Sequence, residues 1–460
     1  MLLRAGIVCG IIVFAGAAGG CALSGQEQGD EGKERYRAEE NTAVRELQSL
    51  LLPEQNGFLP SYWYAGDYGK KPAVRRQYSQ SNCWAVAAAS AIESSLLPRR
   101  DQLFVLGEQD VQISPDHFVY RNVFTVDPAA GGSYYMAMAY LTGWQGPILQ
   151  KDDPYGDMKS PEGLSPAVHV QEIRIFEEAD EEELKKAVME YGAVQASLYM
   201  STEQTRVDEP YYNAMTSAYY YPQEMTQNHD IVILGWDDSY SRFLFKNIPS
   251  RDGAFICQNS WGEEFGEDGI FYVSYEDANL GVMAAAYSQI ESADNYDRIY
   301  QADDCGWQSS QGYGSDTCWF ANVYTAQADE LLAAAGFYVT GRNARYEVWL
   351  VHDFEGEASF AKRELLAQGS FPDIGYYTVD FEEKPVLAQG ERFAVAVRLK
   401  TPENTSPAAV EHAGDPDTQN VILEGKEGYL SFDGKNWQNT EQSFGTNVCL
   451  KAYTQTEFSE

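Results

Sequence analysis

At 460 residues the chain is long enough for more than one domain, and its 44% apolar content is enough for real cores. Its 69 acidic residues against 33 basic ones give a formal charge of −36, which argues against nucleic acid and anionic membrane surfaces as partners. The same charge repels acidic substrates and mildly favours cationic ones, and it suits an exported protein that must stay soluble.

Arg4 precedes an apolar stretch from Ala5 to Ala18, too short and glycine-rich for a membrane span. It ends Ala18-Gly19-Gly20-Cys21 and then turns polar. Small residues before a cysteine resemble a bacterial lipoprotein signal, although Ala18 stands where leucine is usual. That resemblance implies a signal over 1–21, acylation of Cys21 and a protein held outside the cell by its lipid, with plain secretion as the alternative. Residues 22–57 then read as a polar tether and a short amphipathic helix over 36–52.

The next segment, Gln77-Tyr78-Ser79-Gln80-Ser81-Asn82-Cys83-Trp84, runs into Ala85-Val86-Ala87-Ala88-Ala89. A polar loop delivers one cysteine to the start of a buried helix, where free N–H groups and the helix dipole favour a thiolate. Asn82 is placed to cap that helix, and Gln77 to donate to a developing oxyanion. A nucleophile needs a base and the base needs an orienting group. Of five histidines, only His229 opens an apolar strand-like run, Asp230 to Trp236. His117 follows the helix start Ser114-Pro115-Asp116 and reads as structural, while His169 lies in a polar stretch. Thirty residues beyond His229, Asn259-Ser260-Trp261-Gly262 leaves another apolar segment, and a carboxamide there can fix the ring tautomer.

Gln77, Cys83-Trp84, Asn228-His229 and Asn259-Ser260-Trp261-Gly262, in that order, resemble the papain-like cysteine peptidases, in a pattern closer to the bacterial branch. The resemblance implies Cys83 as nucleophile, His229 as base, Asn259 as its orienting partner and Gln77 in the oxyanion hole. It also implies that Trp261 shields the His–Asn pair. Gly131-Gly132 falls where the family pairs its backbone with substrate, and Asp153-Pro154-Tyr155 resembles the segment after its second helix. Ser133, Tyr134, Val194 and Asn228 are candidates for the substrate pocket. Two departures stand out. Gln80 replaces the usual disulfide cysteine, and a tyrosine-rich insertion spans 200–226.

The implied fold is α+β over residues 58–290, a helical lobe beside an antiparallel sheet lobe. Strands are predicted at 231–236, 243–246, 254–258 and 269–275. After Gln289, short alternating strands such as 346–351 and 393–399 predict an all-β sandwich over 291–460. Cys305-Gly306-Trp307, Trp319-Phe320-Ala321-Asn322 and Gly336-Phe337-Tyr338 resemble the lectin-like domain that follows bacterial papain-like peptidases. Trp307 and Trp437 can stack on sugar, or be core. Cys257 reads as core, and Cys305 and Cys318 flank a loop that a disulfide can close, while Cys449 has no evident mate. No metal or cofactor motif is present, so none is expected. The implied function is a cysteine endopeptidase, anchored at a bacterial surface or secreted, acting on protein or peptide through a thioester acyl-enzyme. Two alternatives remain: an idle adhesin binding carbohydrate on a peptidase scaffold, and a cell-wall peptide amidase or transpeptidase.

Overall fold

Small side chains decide how the first lobe packs. The computed structural model describes residues 59–99, 111–202, 207–423, 425 and 427–456; the signal, Cys21, the tether and the helix over 36–52 lie outside them. Helix α1 (Cys83–Leu96) carries Ala85, Ala87, Ala88, Ala89 and Ala91, so its neighbours approach closely and it is buried almost all round. Helices α2 (Pro115–Tyr120) and α3 (Tyr134–Thr142) pack on it. Ser114 caps α2 through its side chain, as the Ser-Pro-Asp start predicts.

The second lobe is an antiparallel sheet. Its strands are β1 (Val168–Glu177), β2 (Val194–Leu198), β3 (His229–Asp237), β4 (Ala254–Gln258), β5 (Ile270–Ser274) and β6 (Met283–Ser292). Helix α4 (Glu181–Tyr191), opened by an Asp180–Glu183 capping box, links β1 to β2. In register, Leu198 faces His229 and Val232 faces Gln258. The expected strand at 243–246 does not form. Ser241 caps a single turn over Arg242–Leu244, Asp252 bonds the Arg242 N–H, and Phe243 is exposed. Local side-chain bonds there displace a sheet ladder. His169 is not in a polar loop but inside β1, buried, stacked on Trp144 at 3.8 Å and 2.7 Å from Asn295 Oδ1.

Beyond residue 292 strands predominate among the regular elements of the described residues. The principal ones are β7 (Thr317–Thr325), β8 (Glu330–Val339), β9 (Ala344–Val351), β10 (Ile374–Asp380), β11 (Arg392–Lys400) and β12 (Leu450–Thr456). Alternation places Phe393, Val395, Val397 and Leu399 of β11 against Phe337 and Val339 of β8, between two sheets. β9, β11 and β7 belong to a six-stranded sheet. The facing sheet is shared with the first region. β10 pairs with β1 through Ile374↔Ile175 to Tyr377↔Glu172, so one 14-stranded sheet includes the nine-strand run β12–β8–β10–β1–β6–β2–β3–β4–β5. Residues Leu59–Glu460 accordingly form one unit.

Two expectations for this region change. Cys305 and Cys318 are both free thiols, buried in different core clusters, so the structure contains no bridge between them. Trp437 is core: it is 5% exposed and stacks on Phe360 at 3.9 Å. Trp307 packs edge-on against Tyr135 of the helical lobe, with centroids 6.2 Å apart.

Candidate active site

Cys83 opens α1, and Asn82 precedes it without capping the helix through its side chain. Asn82 Nδ2 instead donates to Gln80 Oε1 (2.9 Å) and Tyr155 Oη (3.4 Å). The first helical N–H groups are thereby left for the sulfur. The backbone N–H groups of Asp230, Trp84 and Cys83 itself all favour the thiolate, which seats the sulfur against the beginning of β3, where His229 lies.

The rest of the site is a chain of hydrogen bonds. Asn259 Oδ1 accepts from His229 Nε2 at 2.8 Å and from the Ser260 N–H at 2.7 Å. An acceptor there holds the proton on Nε2 and leaves Nδ1 free to act as a base. Trp261 covers the pair, its ring centroid 4.9 Å from that of His229. Ser260 Oγ donates to Gln77 Oε1 at 2.5 Å, and Gln77 N–H donates to Ser260 O at 2.7 Å. Gln77 Nε2 gives one hydrogen to Gln80 O at 2.7 Å and keeps a second. The loop that carries Gln77 is anchored beneath by a buried ion pair. Arg75 Nη1 donates to Glu93 Oε2 of α1 at 3.1 Å, and Glu93 Oε1 also accepts the Ile113 N–H at 2.7 Å.

Electrostatics here differ from the sequence reading. Burial, joined by the Asp230 carboxylate, pushes the Cys83 thiol up to about 12 despite the helix N–H groups. Burial also lowers His229 to about 4, against the pull of Asn259. Burial thus opposes the charge on both groups, while the three N–H groups favour the thiolate and Asn259 favours the imidazolium. Asp230 is 7% exposed and accepts from Ser197 Oγ (2.6 Å) and Gln195 Nε2 (2.9 Å). We expect Asp230→Asn to raise the rate of Cys83 alkylation by iodoacetamide at pH 7 by roughly 3- to 10-fold, since a negative charge that opposes the thiolate is removed. An unchanged or slower rate would show that Asp230 carries no charge there.

The predicted substrate-binding residues divide. Gly131 has φ of +98°, which favours glycine, and leans on Ser81; a Cβ on Gly132 would lie 2.5 Å from the Trp84 indole. The pair thus borders Cys83. Asn228 is exposed beside His229, but both ends of its carboxamide are bonded to the Met200 backbone, at 2.7 and 3.2 Å. Val194 is fully buried and Tyr134 is 2% exposed, so neither lines an open pocket. Asp230, Ser260 and the Arg75–Glu93 pair were missed by sequence reasoning. Asp230 was visible as a charged residue inside an apolar strand.

These parts define a two-lobed thiol hydrolase, with the cysteine at a buried helix start on one lobe and the histidine and asparagine on the sheet of the other. The family description "Papain family cysteine protease" matches residues 60–290 and "Lectin like domain" matches residues 299–454. The chain belongs to the papain family of cysteine proteases, with a lectin-like domain following the protease region. It is 25% identical over 224 residues to a viral cathepsin of Heliothis zea nuclear polyhedrosis virus, covering 47% of this chain and 52% of that protein. It is 24% identical over 232 residues to cathepsin K of Mus musculus, covering 48% and 61% respectively. The chain thus spans less than two thirds of the length of these curated relatives. Among solved structures, the clostridial cysteine protease Cwp84 after propeptide cleavage superposes with a TM-score of 0.73 at 25% identity, covering 86% of this chain and all 100% of that one. The cysteine protease and lectin-like domains of Cwp84, a surface layer associated protein of Clostridium difficile, give 0.73 at 24% identity, covering 86% and 89%.

Proposed function

We propose that this chain is a cysteine endopeptidase that cleaves peptide bonds through a thioester. Cys83 attacks the scissile carbonyl while His229 Nδ1 takes the thiol proton. The free hydrogen of Gln77 Nε2 and the Cys83 N–H hold the oxyanion, and Ser260 keeps the Gln77 carboxamide turned the right way. His229 then protonates the leaving amine, and later deprotonates the water that opens the thioester. Asn259 orients the ring, Trp261 shields it, and Gly131-Gly132 offer backbone to an extended substrate. The observation that carries this reading is the 2.8 Å bond from His229 Nε2 to Asn259, which leaves the other ring nitrogen as a base.

The proposed organisation is a lipoprotein signal over 1–21, a tether over 22–57, the peptidase over 58–290 and the lectin-like sandwich over 291–460. Lipid on Cys21 would hold the enzyme at a bacterial surface, a setting supported by the surface-layer association of Cwp84. Carbohydrate remains a candidate ligand of the lectin-like domain, at a site other than the buried Trp437. The test is intact-mass analysis of residues 22–460 after treatment with an epoxide thiol inhibitor. We expect one adduct, on Cys83, that is lost in His229→Ala. Absence of an adduct in the unsubstituted protein, or an undiminished adduct in His229→Ala, would overturn the proposal.

A further inference from the structure

Behind the nucleophile the sheet carries polar side chains where apolar ones are the rule. Alternation along β2 puts Gln195 and Ser197 on one face, and Asp230 stands opposite Ser197 in register. Tyr287 of β6 joins them, two residues beyond Ala285, which pairs with Gln195. All four side chains are buried, which is costly unless their polar groups are hydrogen-bonded. Here they are bonded to one another. Gln195 Oε1 accepts from Tyr287 Oη at 2.8 Å, and Ser197 Oγ donates to Asp230 Oδ1 at 2.6 Å. Gln195 Nε2 donates one hydrogen to Asp230 Oδ2 at 2.9 Å and the other to Trp84 O at 3.2 Å. Two acceptors on one side and a hydroxyl donor on the other fix which way the carboxamide is turned.

Trp84 follows the nucleophile in the first turn of α1, and Asp230 follows the base at the start of β3. One carboxamide therefore joins the residue after Cys83 to the residue after His229, across the two lobes. The far end of α1 is held separately: Ser94 Oγ accepts the Ala193 N–H at 2.9 Å, and Ser95 Oγ donates to Tyr191 O at 2.8 Å. Resting on the catalytic reading above, we infer that Gln195 is a positioning residue, a clamp between the lobes that keeps the Cys83 sulfur within reach of His229 for proton transfer. An apolar residue of the same length would fill the space but take the donor from Trp84 O and Asp230 Oδ2. The first turn of α1 is then free to shift against β3 while the far end stays pinned. A misplacement of about 1 Å between reacting groups can cost on the order of 100-fold in rate.

The test is steady-state hydrolysis of a peptidyl aminomethylcoumarin by Gln195→Met and Tyr287→Phe, with thermal denaturation to confirm that each variant is folded. Met keeps the length of Gln without its hydrogen bonds, and Phe removes only the hydroxyl that orients the carboxamide. We expect kcat per folded molecule to fall about 10- to 100-fold in Gln195→Met and about 3-fold in Tyr287→Phe, with KM within about 2-fold of the unsubstituted value in both. A residue that only stabilised the fold would lower the melting temperature and leave kcat unchanged. An unchanged kcat in folded Gln195→Met, or a loss carried by KM instead, would overturn the inference and leave the catalytic reading standing. Where Gln195→Met does not fold, an unchanged kcat in Tyr287→Phe overturns it equally. Absence of coumarin release from the unsubstituted protein would overturn the catalytic reading, and this inference with it.

Discussion

Cys83→Ala is expected to lower peptide hydrolysis by about 10⁴-fold or more while leaving the protein folded, because removing the nucleophile of a covalent mechanism leaves only binding and oxyanion stabilisation. Alanine suits the position sterically: α1 is already built from alanines, and a smaller side chain at its first turn displaces nothing. Hydrolysis should be followed with a quenched peptide and folding by thermal denaturation. Residual turnover within about 10-fold of the unsubstituted chain would remove Cys83 from the mechanism. A large fall in melting temperature would assign it a structural role instead.

Glu93→Ala should be the most destabilising single change near the site. The side chains of Arg75 and Glu93 are only 4% and 2% exposed. Without Glu93 the guanidinium loses its counter-charge, the Ile113 N–H loses its acceptor, and solvent cannot replace either. Breaking such a pair from one side costs about 3–5 kcal/mol, whereas replacing both partners by apolar residues of similar volume is often neutral. Urea denaturation should therefore show a loss of that size for Glu93→Ala and a much smaller one for Arg75→Met combined with Glu93→Leu. Activity should fall in both, since Gln77 sits two residues beyond Arg75. A loss under about 1 kcal/mol for Glu93→Ala would mean that the pair does not hold the loop.

The site was legible because its chemistry needs particular residue types at the ends of strongly patterned elements. Cys83 stands before an alanine run, His229 opens β3, and Asn259 follows β4 directly. What the sequence did not convey was how these groups are buried. A free helix N-terminus suggested a thiolate, but not that desolvation and the carboxylate of Asp230, a neighbour along β3, oppose it. Nor could spacing pair Ser260 with Gln77, which are 183 residues apart. In the second region, alternation identified β9 and β11 well. The failed strand at 243–246 had the composition of a strand, but its capping came from Ser241 and its tether from Asp252, both outside the predicted run. Local pattern also gave no hint that β10 joins β1. That junction depends on Gly375, where a Cβ would lie 2.1 Å from Ile173 O.

The shared sheet changes what it means to divide this protein. Cutting the chain after β6 would strip β1 of β10 and uncover a row of backbone donors and acceptors along Glu172–Ile175. An unprotected edge of that kind is a template for pairing with whatever strand comes next, including the same strand of another copy. The sandwich therefore serves the peptidase as a built-in edge guard. Its removal would endanger the solubility of the peptidase region before it touched the cleft, which lies several strands away on β3 and β4.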